Sequence, residues 1–411
     1  MKVFLTHKKD AALHADLNVS GSKSESNRLL ILKEQYSNPS IENLSDSDDT
    51  VTLTNALKLK KGVVDIHHAG TAMRFLTAYF ASTPGIDVVL TGSKRMQERP
   101  VKILVEALRS LGAEITYTKT EGFPPLQIKG SILQKNQVTL LANVSSQYIS
   151  ALMLIAPKLP GGLTIQLKGE VTSVPYIKMT LGLLQKVGIQ GSFSENKIEI
   201  AASETISENK IAVESDWSSA SYFYSIVALS EAATVTLTHY SEKSLQGDRA
   251  IADMYEALGV TTVFNASEHK IILQKNTSEL PNHLLLHLAD TPDIAQTIAV
   301  SCFGLGVGCT LTGLHTLKIK ETDRLVALKT ELEKLGATVH ITDDRLELAA
   351  FNGKIKEHIA IKTYQDHRMA MAFAPLALKV PLILQDSMVV SKSFPTFYKA
   401  LETLGFSVQF E

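Results

Sequence analysis

Apolar positions along the chain fall into two helical registers that take turns. The first is amphipathic. Leu325, Leu328, Leu332 and Leu335 recur at helical spacing, which predicts a helix beginning near Thr322 and stopped by Gly336. Segments of the same kind close on glycine at "ALKLKKG" (Gly62), "ALRSLG" (Gly112), "LLQKVG" (Gly188), "MYEALG" (Gly259), "ELEKLG" (Gly336) and "ALETLG" (Gly405). Each reads as a helix with a C-terminal glycine cap and then a β-rich run such as "ITYT" or "SVQF". The second register is apolar nearly all round and opens with helix-start residues. Its members are "SKSESNRLLIL" from Ser22, "GTAMRFLTAYF" from Gly70, "SSQYISALMLIA" from Ser145, "WSSASYFYSIVAL" from Trp217, "TPDIAQTIAVSCF" from Thr291 and "DHRMAMAFAPLAL" from Asp366.

The two registers alternate strictly, and from each opener to the next closing glycine the separation stays between 39 and 45 residues. The pattern predicts six copies of a two-helix unit, one helix buried and one superficial. A period of 72 to 75 residues between the later openers exceeds that of any solenoid repeat, so each copy should be a small α/β unit with strands of its own. Six units over 411 residues suggest two domains of three. Only 48 residues separate Ser22 from Gly70, which makes the first copy short and points to an irregularity near the start, such as a strand lent to another domain.

Composition narrows the class. Lys plus Arg (41) nearly equal Asp plus Glu (42), which argues against a broad nucleic-acid surface, so any anion-binding chemistry must come from local clusters. "MKVFLTHKKD" has no signal-peptide apolar core and no apolar run reaches 18 residues, so the expected location is the cytoplasm, with no membrane partner. The two cysteines, Cys302 and Cys309, read as small buried hydrophobes in a reducing compartment rather than as a disulfide or metal pair. P-loop, H-E-x-x-H and CxxC patterns are all missing, and nothing suggests a metal.

The chemistry gathers at the helix starts. Ser22, Lys23, Ser24 and Arg28 sit on the first buried helix, Thr71 and Arg74 on the second, and Ser145, Ser146 and Gln147 on the third. Asp293 opens the fifth, and Asp366, His367 and Arg368 the sixth. A helix N-terminus already carries positive partial charge, yet Lys318, Lys320 and Arg324 crowd the start of the 324–335 segment against only Glu321 and Asp323. Taken singly, such serines and aspartates are ordinary caps, and such an arginine snorkels or pairs with a carboxylate. Repeated at one position in repeated units, they point to helix ends facing charged ligands.

Together, "SGSKSESNRLL", "HAGTAMRFLTA", "RMQERPV", "SSQYISALMLIAP", "SASYF", "KETDRL" and "YQDHRMAMAF" resemble, in order and nearly end to end, the 5-enolpyruvylshikimate-3-phosphate synthase family of enolpyruvyl transferases. The resemblance implies an α/β fold of two inside-out α/β barrel domains, each of three βαβαββ-type units. Residues 21–215 would form one, 1–20 and 216–411 the other, with the active site in the cleft between them. It implies a cytoplasmic monomer without cofactor or metal. Its partners would be the small molecules phosphoenolpyruvate and shikimate 3-phosphate, with no nucleic acid.

Carried over position by position, Lys23, Gly70, Arg99, Gln147, Arg324, Arg368 and Lys392 would surround phosphoenolpyruvate. Lys23, Ser24, Arg28, Ser145, Ser146, Gln147, Ser173, Tyr176, Asp293 and Lys320 would hold shikimate 3-phosphate. Glu321 would be the acid and Asp293 the base, with Lys320 and Lys23 completing the catalytic set. Three positions depart from the family pattern: His68 where Asn is usual, Phe75 where Pro often stands, and Thr316 where Asn commonly precedes "KETDR". A sister enzyme acting on UDP-N-acetylglucosamine would carry a Cys in the loop matching "GSKRMQERP", and none occurs there. A non-catalytic or RNA-end-binding relative of the same fold fits poorly with the balanced charge and the full Lys23, Asp293 and Glu321 set.

Overall fold

The computed structural model describes residues 1–7, 13–36, 39–142, 145–169, 171, 174–208 and 210–411. The chain divides into two compact units, one continuous (Gly21–Val213) and one discontinuous (Met1–Ser20 with Glu214–Glu411). Glu214 and Ser215 go with the discontinuous unit because they bond into it. Glu214 accepts from the Trp217 indole N–H at 2.8 Å, and the Ser215 hydroxyl donates to the Val19 carbonyl at 2.6 Å.

One strand arrangement recurs. In the continuous unit, Lys61–Asp65 runs parallel to Asp87–Thr91, which pairs antiparallel with Leu126–Lys129, itself antiparallel to Glu114–Tyr117. The parallel step is bridged by the buried helix Gly70–Ser82, and the next by the amphipathic helix Lys102–Leu111. Among the described residues five four-stranded sheets share this order, two in the continuous unit and three in the discontinuous one. Each is therefore a βαβαββ-type copy, in which a crossover helix makes the parallel pair and a hairpin adds the last two strands, except in the final sheet, where the N-terminal strand Lys2–His7 stands in for one of them.

Burial separates the helix classes as the apolar pattern predicts. Every residue of Trp217–Leu229 except Ser218 is buried, whereas Lys102–Leu111 buries Leu104, Val105, Ala107, Leu108 and Leu111 on one side. The amphipathic helix of the fifth copy runs Arg324–Leu335, starting two residues later than the periodicity suggests. Asp323 is the reason: its carboxylate accepts from the Leu325 and Val326 amides and so fixes the first turn. Gly336 adopts φ +111 at its end, as only glycine does at low strain.

The short first copy is a two-stranded remnant. Its helices Lys23–Gln35 and Asp48–Ala56 flank Ser40–Glu42, whose parallel neighbour, Lys210–Ala212, comes from the far end of the continuous unit. Gly62 is accordingly not a helix cap. It lies inside strand Lys61–Asp65, which opens the second copy. The lent strands are two and both serve the discontinuous unit. Leu13–Leu17 pairs with Ala233–Thr238, and Lys2–His7 fills the centre of a sheet between Leu382–Gln385 and Phe406–Phe410. Val3 and Leu5 on that strand are fully buried, worth about 1.5–3 kcal/mol each in apolar burial.

Candidate functional site

In the continuous unit the charged helix starts lie on buried helices. Ser22 caps Lys23–Gln35 by accepting from the Glu25 amide, and the Lys23 ammonium stands 3.6 Å from the Asp49 carboxylate. Asp49 begins a neighbouring helix, inside an acidic run to which sequence reading assigned no role. Arg28 is 3% exposed and has no carboxylate partner among the described residues. Its guanidinium donates to the Thr180 hydroxyl (2.8 Å), the Ser150 hydroxyl (3.0 Å) and the Ser24 carbonyl (2.8 Å). Its carbon sits 5.4 Å from the Phe75 ring and 5.9 Å from that of Tyr176. Phe75, one of the departures from the family pattern, thus supplies one face of the pocket around Arg28. Burial pulls the Arg28 pKa down to about 10, with Tyr176 and Glu25 opposing. A cation held this way is primed for an anion.

A second cationic cluster lies at the start of Gly70–Ser82, a helix without a side-chain cap. Arg99 packs against Gly70 so closely that a Cβ there would stand 2.6 Å from its Nη1. Arg74, 3% exposed, donates to the Gly70 carbonyl (3.2 Å) and the Pro100 carbonyl (3.1 Å). Burial, with Arg99 adding to it, lowers the Arg74 pKa to about 10. Gln147 joins this cluster from its own helix start, donating to the Thr71 hydroxyl at 3.3 Å, while Ser145 caps that helix. Open amides beside two guanidinium groups make a seat for a phosphate or carboxylate. His68, nearby in sequence, is exposed and shares a hydrogen bond with the Ser93 hydroxyl at 2.9 Å. Ser173 lies outside the described residues.

The discontinuous unit has the opposite character. Arg324, 2% exposed, is ringed by acids: Nε to Asp366 at 2.6 Å, Nη1 to Asp293 at 2.9 Å and Nη2 to Glu321 at 2.8 Å. Burial works against its charge, but Asp366, Glu321 and Asp293 outweigh it and hold its pKa above the ordinary value. Asp293 also meets Lys320 at 3.5 Å and Arg368 at 3.2 Å. Lys318 turns away and pairs at the surface with Asp343. Much of the positive charge at this helix start is met from inside the fold, by carboxylates 31 and 42 residues distant in sequence.

Two further residues join the cluster, Ser218 from the "WSSASYFYSIVAL" helix start and Asp248 from outside every quoted motif. Ser218 accepts from Arg368 at 3.4 Å and donates to Asp248, 7% exposed. Burial, with Asp293 adding to it, raises the Asp248 pKa to about 6. Asp248 follows Gly247 in a short 3-10 turn that carries no periodicity. Lys392 donates to the Gln365 carbonyl at 2.8 Å. Thr316, the third departure, has a buried hydroxyl with no hydrogen-bond partner among the described residues. The continuous unit thus holds two buried guanidinium groups, Arg28 and Arg74, hydrogen-bonded to neutral groups, and the discontinuous unit pairs acids with bases in a form suited to moving protons.

Comparisons with known proteins agree on one family. Residues 59–401 match the family model described as EPSP synthase (3-phosphoshikimate 1-carboxyvinyltransferase). The chain is 46% identical over 402 residues to a 3-phosphoshikimate 1-carboxyvinyltransferase of Bacteroides fragilis, covering 97% of each. It is 34% identical over 426 residues to that of Haemophilus influenzae, covering 96% of this chain and 97% of the relative. A solved structure of EPSP synthase from Acinetobacter baumannii superposes with a TM-score of 0.80 over the full length of both chains at 21% identity, a likeness of fold.

Proposed function

The chain belongs to the EPSP synthase family, and from that premise we propose which of its residues carry the reaction. The enzyme transfers the enolpyruvyl group of phosphoenolpyruvate to the 5-hydroxyl of shikimate 3-phosphate and releases phosphate, on the way to chorismate and the aromatic amino acids. In this reading Glu321 gives a proton to the methylene carbon of phosphoenolpyruvate while Asp293, with Lys320 beside it, takes the proton of the attacking hydroxyl. The new C–O bond makes a tetrahedral adduct. Loss of phosphate and of one methyl proton then restores the double bond. Fixed cations stabilise the charge that develops.

The observation that carries this assignment is the shared guanidinium. Asp293 and Glu321, 28 residues apart in sequence, occupy adjacent nitrogens of Arg324, so an acid and a base are held side by side in one frame. Lys23, Gly70, Arg99, Gln147, Arg324, Arg368 and Lys392 form the phosphoenolpyruvate side of the proposal, with Arg324 acting through the carboxylates it aligns. Lys23, Ser24, Arg28, Ser145, Ser146, Gln147, Ser173, Tyr176, Asp293 and Lys320 form the shikimate 3-phosphate side. The active site would then draw residues from both units, in a cytoplasmic monomer. Unbridged cysteines are in keeping with a reducing compartment. Among the described residues no helix is long and apolar enough to cross a membrane.

The test is phosphate release from phosphoenolpyruvate with shikimate 3-phosphate, for the native protein and for Glu321→Gln. The variant should still bind shikimate 3-phosphate and lose turnover by about a hundredfold or more, the scale of a lost general acid. Near-native turnover would remove Glu321 from the mechanism.

A further inference from the structure

Helix Arg324–Leu335 grips one short segment twice. Arg324 and Glu331 are seven residues apart, close to two turns, so they project from the same face about 10 Å apart along the axis. Arg324 takes hold of Asp366. Glu331, fully buried, accepts from the Lys362 amide at 3.1 Å and from the Tyr364 hydroxyl at 2.6 Å. Its charge is balanced by Lys334 at 2.6 Å. Burial and the Glu331 carboxylate hold the Tyr364 phenol well above its ordinary pKa, so it stays a hydrogen-bond donor.

Between the two grips the backbone is strained. Tyr364 and Gln365 stand consecutively in the left-handed region, at φ 55 and φ 57. Residues with a Cβ hold such a conformation only where their surroundings enforce it. The double turn aims the groups that follow. Asp366 caps the next helix by accepting from the Arg368 amide at 2.9 Å, and Arg368 reaches Asp293. The Gln365 carbonyl is turned out to receive Lys392.

We propose that Glu331 and Tyr364 are positioning residues for the reaction, clamping the left-handed turn that sets Arg368 and Lys392 against phosphoenolpyruvate. This rests on the reading that those two cations serve that substrate. Neither Glu331 nor Tyr364 touches Asp293, Glu321 or Lys320 in any hydrogen bond of the structure. Their bonds to each other and to the Lys362 amide lead into the turn.

The experiment compares native protein, Tyr364→Phe and Glu331→Gln by steady-state kinetics, varying each substrate in turn, with folded fraction measured by thermal melting. Native phosphate release comes first, because its absence would fault the functional reading and leave the clamp out of account. Tyr364→Phe keeps the ring and removes one bond, so folding is preserved even if Glu331→Gln proves fragile. Both variants should raise KM for phosphoenolpyruvate about tenfold, the equivalent of one lost hydrogen bond, while KM for shikimate 3-phosphate stays within about twofold. A loss of melting temperature with native KM values per folded molecule, or equal changes for both substrates, would overturn the proposal and leave Glu331 an ordinary buried acid.

Discussion

Replacing Arg324 by Gln would strip one cation from three acids, and the structure says which acid suffers. Asp293 keeps Lys320 and Arg368, and Glu321, with 27% of its side chain exposed, can turn to water. Asp366 is fully buried and retains the Arg368 amide, with the His367 ring 3.9 Å away. Removing one partner of a buried ion pair costs about 3–5 kcal/mol, and the Gln amide can restore one hydrogen bond of roughly 1 kcal/mol. The expected loss is therefore about 3 kcal/mol at pH 8. Its pH dependence has a definite sign. In the native protein burial pushes the Asp366 carboxyl up and Arg324 pulls it down. Without Arg324 the folded pKa rises further above its unfolded value, so the variant is better off protonated at low pH and loses stability as pH climbs through that pKa. The loss relative to native should shrink by about 1 kcal/mol or more at pH 5. Trp217, the single tryptophan and fully buried in the same unit, reports urea unfolding by its fluorescence. A loss below about 1 kcal/mol at pH 8, or an equal loss at both pH values, would refute the reasoning, as would failure of Asp366→Asn to rescue the variant.

Asp248, held up at a pKa of about 6 mainly by burial, takes up a proton on folding between about pH 4 and 6, so native stability should fall by roughly 3 kcal/mol as pH rises through that window. Asp248→Asn should flatten that slope in the same unfolding assay, and parallel native and variant curves would count against it. Gly70→Ala should fold normally but displace Arg99, whose Nη1 would lie 2.6 Å from the new Cβ; KM for phosphoenolpyruvate should rise about tenfold or more, and an unchanged value would show that Arg99 yields without consequence. Cys302, whose thiol pKa is raised by its hydrogen bond with Cys309 and by burial, should resist thiol reagents until urea unfolds the chain. Cys302→Ala should keep native turnover; selective loss of activity in a folded variant would bring a thiol back into the mechanism.

What could be read from the sequence followed the range of the forces involved. Helices such as Trp217–Leu229 and Arg324–Leu335 declare themselves because burial imposes a local period. The glycine at 336 declares itself because few other residues tolerate φ +111. Gly62 misled for the same reason: a basic helix-like run precedes it, yet pairing of Lys61–Asp65 with Asp87–Thr91 decides its fate, and that contact is not local. The Arg324 cluster was half legible. Its cations stood out against the helix dipole, whereas Asp366 and Asp293 reach it only through the fold. Ser218, Glu331 and Tyr364–Gln365 lie inside quoted motifs and Asp248 outside them all, yet none showed its role, since each gains meaning only from neighbours brought in by packing.

The strand Lys2–His7 sets a timetable. It is the inner strand of a sheet whose flanking members are Leu382–Gln385 and Phe406–Phe410, so some 400 residues must be synthesised before it can be paired on both sides. At about 5–20 residues per second the wait is on the order of 20–80 s. The continuous unit, all of whose sheets close within Gly21–Val213, can fold during that interval while Val3 and Leu5 remain uncovered. A ribosome that stalls after residue 213 would thus leave one finished unit trailing an unpaired apolar strand, the kind of open edge that recruits chaperones or other nascent chains.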